Sequence, residues 1–387
     1  MIKTGARYRL IILGAGFSKP AGLPLGHELL PLILTESEKL NLSRVIKRDL
    51  ETYARLRSDI EGKTISLADI DIESFISYLD IEHFLLLRGS DTWSSEGNES
   101  QILIRNLICK IFHECQVRMT QDTWRLYETF ASFLRPHDIV ISLNYDTILE
   151  IALSRKLVPF RFSWFRFDSV DYHGGTADSE TSEVVFLKMH GSINWFDVSK
   201  YNDEAKYFQQ GPSFLNPKHP VFGNHHDFFP EKIVGTKYHM DSPLNKVYYI
   251  KDLGKYIDRC QYILNAPLII SPSYAKMVYL NPLREFWQGF NGVGQFNPEL
   301  IIIGFSFSRH DEYLLIPIVR AITNFQRHNQ SGEFGFPAAN LKFVNFKMSS
   351  TEIDNFKAQL LFIDWSKTDS FWEGLTLKTI EEVFNKL

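Results

Sequence analysis

Cysteine is scarce in this chain: Cys109, Cys115 and Cys260 are the only three in 387 residues, and none forms a C-x-x-C pair. Cysteines so few and scattered make no disulfide framework. A Cys₄ zinc ribbon is excluded, and the three read as core filling. No uninterrupted apolar stretch reaches bilayer-spanning length, so no membrane contact is expected. Residues 1–9 run straight into an apolar segment without a cleavable leader pattern, which points to a cytoplasmic address. Positive charge is not in excess either. Lys and Arg number 42 against 46 Asp and Glu, for a net charge of −4, so nucleic acid is contacted only indirectly, if at all. Internal repeats, low-complexity segments and paired-carboxylate metal sites are all missing.

One further absence narrows the chemistry. The dinucleotide fingerprint G-x-G-x-x-G needs a third glycine at residue 19, where this chain has Lys. Its acidic ribose binder should end a second strand, but Glu36 and Glu38 fall in sequence that looks helical. A dehydrogenase is therefore disfavoured.

Apolar bulk is plentiful, with 44% hydrophobic residues and 31 Phe. The length allows a sizeable core and two to three domains. Leu10–Leu13 is a short apolar run that breaks into Gly14-Ala15-Gly16-Phe17-Ser18, the pattern of a buried strand and a tight turn. Without a Cβ, Gly14 and Gly16 let the backbone approach a ligand. A helix starting after the turn would offer N–H groups and a positive dipole end to a phosphate.

Helical spacing dominates the next hundred residues. Ser37–Arg57, Asp71–Leu87, Gln101–Val117 and Thr123–Leu134 read as helices, which makes 35–135 a helical insertion. Ile139–Leu143 is then a β-rich run ending in Asn144-Tyr145-Asp146, with a helix from Thr147 to Lys156. Val184–Leu187 repeats the design and ends in Lys188-Met189-His190-Gly191-Ser192. Residues 200–262 form a second, irregular and aromatic-rich insertion, where His219, His225, His226 and His239 match no metal-ligand spacing. Strand signals return at Ala266–Ile270, at Leu300–Ile303 before Gly304-Phe305-Ser306-Phe307-Ser308, at Leu341–Phe343 before Val344-Asn345, and near Leu361–Ile363.

Four strand ends, GAGFS, SLNYD, KMHGS and GFSFS, thus carry small or polar residues in order. In that order and spacing they resemble the core of the sirtuin family, over residues 10–30, 137–156, 184–196, 266–282 and 298–347. The resemblance implies an α/β fold with a Rossmann-like, mostly parallel sheet running through 1–387 and interrupted by the two insertions. It implies NAD as substrate. Gly14, Ala15, Gly16, Phe17 and Ser18 would lie along the pyrophosphate, and Gly304, Phe305 and Ser306 along the ribose and phosphate path. Asn345 would sit near the adenosine end. Asn144 would hold the nicotinamide ribose or the attacking water, Asp146 the nicotinamide carboxamide, and His190 would be the base. Without a zinc ribbon, and with large insertions, the pattern looks like the bacterial sirtuin-like NAD hydrolases of antiphage defence. Members of about this length, with little beyond the sirtuin-like domain, can work beside a separate HerA-type ATPase. Arg309 departs from the family pattern, which often has an acidic residue there before Asp311.

The residue types suit such a reaction. Nicotinamide leaves as a neutral molecule, so no general acid is needed, and the barrier lies in oxocarbenium character on the ribose. Asn offers donor and acceptor without charge, and an unperturbed imidazole, with a pKa of about 6.5, accepts a proton near neutrality. Taken singly, each residue has another reading: Asn144 as a helix cap, Asp146 as a first-turn charge, His190 as a buried, hydrogen-bonded histidine. The expectation is an NAD glycohydrolase, controlled by homo-oligomeric assembly or by a partner. The alternatives are an NAD-dependent deacylase, an ADP-ribosyl transferase, or a nucleotide-sensing module.

Overall fold

An apolar run buried on both faces of a parallel sheet has no reason to alternate with polar residues, and the runs above become strands of that kind. The structure, a computed structural model, describes residues 8–88, 97–164, 182–202, 221–222, 228–235, 241–259, 265–288, 290, 293–295, 297–307, 312–328, 339–346 and 348–385. In chain order the strands are β1 (Leu10–Leu13), β2 (Ile139–Ser142), β3 (Phe160–Arg161), β4 (Val184–Lys188), β5 (Trp195–Asp197), β6 (Glu231–Lys232), β7 (Val247–Tyr249), β8 (Leu300–Ile303), β9 (Leu341–Val344) and β10 (Thr368–Phe371). Seven form one sheet, in the order β10-β9-β8-β1-β2-β4-β3. Every pairing in it is parallel, with Leu10 level with both Ile139 and Leu300. β5, β7 and β6 form a small antiparallel sheet. The expected α/β architecture with a mostly parallel sheet is what the chain adopts.

β1 lies at the centre, and all four of its residues are fully buried. From β1 the sheet grows one way through β2, β4 and β3. The chain then crosses back to lay β8, β9 and β10 on the other side. Open parallel sheets hold their ligands outside the strands' carboxyl ends, at such a reversal. Just before the sheet, the Arg9 guanidinium donates to both oxygens of Asp138 (Nε to Oδ1, 3.0 Å; Nε to Oδ2, 3.1 Å), which pins the starts of β1 and β2 together.

Five helices fill the chain between β1 and β2: α1 (Gly26–Lys39), α2 (Ser43–Glu61), α3 (Ile72–Phe84), α4 (Glu99–Val117) and α5 (Gln121–Phe133). α4 buries Ile104, Leu107, Ile108 and Ile111 as its spacing predicts, and Asn98 and Gln101 close its N-terminus as a capping box. Among the described residues there follow α6 (Ile148–Arg155), α7 (Leu253–Arg259), α8 (Arg284–Gln288), α9 (Glu312–His328), α10 (Ser350–Gln359) and α11 (Leu377–Asn385). Among the described residues no helix is long and apolar enough to cross a membrane.

Three expectations change. The helix read over Ser37–Arg57 is two helices, broken where Asn41 turns left-handed (φ 59) and Leu42 N–H bonds back to Ser37 O. Asn tolerates that conformation, and the bond is a helix-terminating one. Ala266–Ile270 does not join the parallel sheet. It crosses the loop after β4 through one bridge, Gly191 to Ile269, with Ile270 N–H on His190 O and Ser192 N–H on Leu268 O. The last strand is not Leu361–Ile363, a turn whose Leu361 is 87% exposed, but Thr368–Phe371, a half-buried edge strand.

Candidate functional site

The glycine turn after β1 meets the turn after β8. Gly14 N–H donates to Ile303 O and Gly16 N–H to Gly304 O, each at 2.9 Å. A Cβ on Gly14 would stand 2.5 Å from Gly304 O, one on Gly16 2.7 Å from Gly304 Cα, and one on Gly304 2.3 Å from Phe17 N. Gly304 also has φ +65, the left-handed region. The close approach read from the sequence is therefore backbone against backbone. Helix α1 does not begin at this turn either: two 3₁₀ turns intervene, and α1 starts at Gly26. The N–H groups of Gly14, Gly16, Phe17 and Ser18 all bond carbonyls of the chain. Phe17 sits in the core, edge-on to Tyr127 and Phe130, while Tyr127 donates its hydroxyl to Phe17 O.

At this turn two of the motifs join in one polar cluster. Asn144 Nδ2 donates to Gly14 O at 2.9 Å and to Ser18 Oγ at 3.0 Å, and Ser18 Oγ donates to Asp146 Oδ2 at 2.6 Å. Asp146 Oδ1 accepts from Ile148 N–H, in the first turn of α6. Asn144, Asp146 and Ser18 are all buried. Asn144 does not cap α6. Both its amide hydrogens are committed, and among the described residues no donor is bonded to its Oδ1. Asp146 combines the first-turn role with the link to Ser18.

His190 lies next to this cluster. Its Nδ1 is 2.9 Å from the carbonyl of Leu143, the residue before Asn144. A carbonyl can only accept, so Nδ1 carries the proton and Nε2 is the acceptor. The hydroxyl of Tyr313, on the first turn of α9, donates to Nε2. Burial, and after it the Lys276 charge, push the imidazole down to about 3, although the Leu143 carbonyl opposes them. Both influences disfavour a second proton on the imidazole in this setting.

Lys188, at the end of β4, was not assigned a role from the sequence. It is fully buried, and its Nζ donates to Glu150 Oε1 (2.5 Å), Ser192 Oγ (2.7 Å) and the carbonyl of Asp146. Burial pushes the Glu150 carboxyl up, with Lys188 opposing. One ammonium thus ties the turn after β2 to the turn after β4. A lysine closing an otherwise apolar strand was the available signal. Tyr127, Lys276 and Tyr313 had none.

Across the switch, Ser306 is exposed, whereas Phe305 is buried and meets Phe307 edge-on at 4.5 Å. Asn345, at the end of β9, is 2% exposed. Its Oδ1 accepts from Phe346 N–H, and its Nδ2 is buried without a partner among the described atoms. Ser308, Arg309 and Asp311 lie outside the described residues, as do His219, His225, His226, His239 and Cys260. Among the described residues no three His, Cys, Asp or Glu side chains group as metal ligands. A cavity of 1770 Å³ lies elsewhere, against α6, β3 and β7, with Thr147 and Glu150 in its lining.

No family model matches the chain, and no curated protein matches it. Solved sirtuins are similar at a distance. A structure addressing the basis of sirtuin substrate affinity is 11% identical with a TM-score of 0.37, over 99% of this chain and 95% of its own. Sir2Tm bound to a propionylated peptide is 11% identical with a TM-score of 0.35, over 99% and 94%. Sir2 in complex with the inhibitor EX-527, 2′-O-acetyl-ADP-ribose and a deacetylated p53 peptide is 11% identical with a TM-score of 0.32, over 98% and 94%. Similarities this distant leave the chemistry of the site to its own residues.

Proposed function

We propose that the chain is an NAD glycohydrolase, splitting NAD with water into nicotinamide and ADP-ribose. The observation that carries this reading is the amide of Asn144. Its donors are held by Gly14 O and Ser18 Oγ, which leaves Oδ1 to accept from a ribose hydroxyl or the attacking water. The cluster lies at the carboxyl ends of the central strands, where the sheet order reverses. On the far side of that reversal the unpartnered Nδ2 of Asn345 is a buried donor suited to an acceptor of the adenosine half.

In the reaction the C1′–N bond breaks and its electron pair goes to the pyridinium nitrogen, so nicotinamide departs neutral. A bond from water oxygen to C1′ forms, and the water proton goes to a base. An uncharged amide orients a hydroxyl without opposing the cationic ribose. His190 Nε2, the ring nitrogen left as acceptor, would be that base. Depletion of cellular NAD by such an enzyme would suit an antiphage effector held in check by homo-oligomeric assembly or by a HerA-type ATPase partner.

A second reading, a nucleotide-sensing module, is favoured by the depressed basicity of His190. The test is to incubate the purified chain with NAD and no peptide, following nicotinamide and ADP-ribose by chromatography. Asn144→Ala and His190→Ala are each expected to slow release by about 10²-fold or more. Binding of ADP-ribose without turnover, alone and with a co-expressed ATPase, would leave the sensing module. Release that requires an acylated peptide would point to a deacylase.

A further inference from the structure

His190 is 6% exposed, and both its ring nitrogens are occupied by the protein itself: Nδ1 by the Leu143 carbonyl and Nε2 by the Tyr313 hydroxyl. The first contact orients the ring. The second sits on the one nitrogen that can take a proton from a substrate. The Tyr313 ring is fixed from three sides. It stands 5.9 Å from the imidazole, 5.5 Å edge-on from Trp287, and 5.9 Å from Lys276 Nζ, measured between ring centroids or to the centroid. Tyr313 itself is only half-buried, more open to solvent than His190.

We propose that Tyr313 is a specificity-determining residue of this site, its phenol holding the place on His190 Nε2 that a substrate hydroxyl must take. Three observations support it. An imidazole nitrogen in its acceptor state bonds O–H donors, and the phenol is one. The Lys276 charge beside both rings disfavours a second proton on the imidazole, which keeps Nε2 an acceptor. A substrate hydroxyl and the phenol cannot share the single lone pair of Nε2, so the hydroxyl that reaches it displaces Tyr313. Hydroxyls that arrive without other binding contacts, bulk water above all, meet a nitrogen already taken. The inference rests on reading His190 as the proton acceptor of the proposed hydrolase, and it can be tested without turnover.

Diethyl pyrocarbonate acylates unprotonated imidazole nitrogens, and peptide mass spectrometry reports each histidine separately. In the wild type at pH 7, His190 should be labelled far more slowly than the exposed His27. Tyr313→Phe keeps the ring against Trp287 and removes only the hydroxyl. It should speed labelling of His190 about ten-fold, the population shift expected when one hydrogen bond to a buried group is lost. Tyr313→Ala should speed it further. His27 and the half-buried His113 should keep their rates in both variants. Unchanged labelling of His190 in both variants would overturn the assignment, and so would a parallel rise at His113, which reports general loosening. Faster labelling without nicotinamide release in any variant would end the hydrolase reading and leave the role of Tyr313 standing. Normal release with unchanged labelling would do the reverse.

Discussion

Replacing Lys188 by Met tests whether the turns after β2 and β4 are held by one buried charge. The methionine keeps most of the length but donates nothing to Glu150, Ser192 or the Asp146 carbonyl, which Lys188 Nζ now satisfies. Glu150 suffers most, because its Oε2 already lacks a partner among the described atoms. Breaking a buried pair by removing one member costs about 3–5 kcal/mol. Glu150 can escape part of that by taking up a proton, which gives the loss a pH signature. Its folded pKa is raised, more so without Lys188, so the folded state holds the proton longer than the unfolded state. Below the unfolded value of about 4.3 both states are protonated and the charge penalty is absent. As pH rises toward the folded pKa, stability falls by up to about 1.4 kcal/mol per unit, then levels off. Urea unfolding followed by tryptophan fluorescence, at pH 5 and pH 8, should show Lys188→Met losing much more at pH 8. Adding Glu150→Gln should recover most of the difference. A loss under about 1 kcal/mol at pH 8, equal losses at both pH values, or a double variant as unstable as the single one would refute the reasoning.

Gly304→Ala, which drives a Cβ to 2.3 Å from Phe17 N at φ +65, should destabilise by more than about 2 kcal/mol in thermal unfolding. Gly26→Ala, with nothing within 4 Å of the new Cβ, should stay within about 0.5 kcal/mol of the wild type. Comparable losses in the two would remove the packing argument for the glycine turn. Asp80 is 4% exposed and burial pushes its carboxyl up to about 6. The folded state therefore keeps a proton that the unfolded chain releases near 3.8, and stability drains as pH rises from there to 6. Asp80→Asn should gain about 3 kcal/mol relative to the wild type between pH 4 and pH 7 in a chemical unfolding series. A flat difference would show that the carboxyl ionises freely in the fold.

The strands were legible because their causes are local. Leu10–Leu13, Ile139–Ile141, Val184–Leu187 and Leu300–Ile303 are apolar without alternation, as strands buried on both faces must be, while Leu341–Val344 is interrupted by the buried Lys342. Each gives way to glycine or polar residues where the chain leaves the sheet. That pattern also located Asn144, Asp146 and His190 at strand ends. Thr368–Phe371 escaped notice because an edge strand half open to solvent needs no apolar run, and Ala266–Ile270 misled because an apolar run can also cover a loop.

What only the tertiary structure decided is the state of the groups so located. The partners of Asn144 lie 126 and 130 residues away along the chain, and those of His190 lie 47 and 123 away. The reason for Gly14 and Gly16 is a backbone turn that begins after residue 303. A base near neutrality is a property of free imidazole; here burial and the Lys276 charge set it far lower. Residue type and punctuation act over a few neighbours and choose the elements and the chemistry on offer. Burial, charge and hydrogen-bond partners come from segments distant in sequence, and they determine which protons those residues hold.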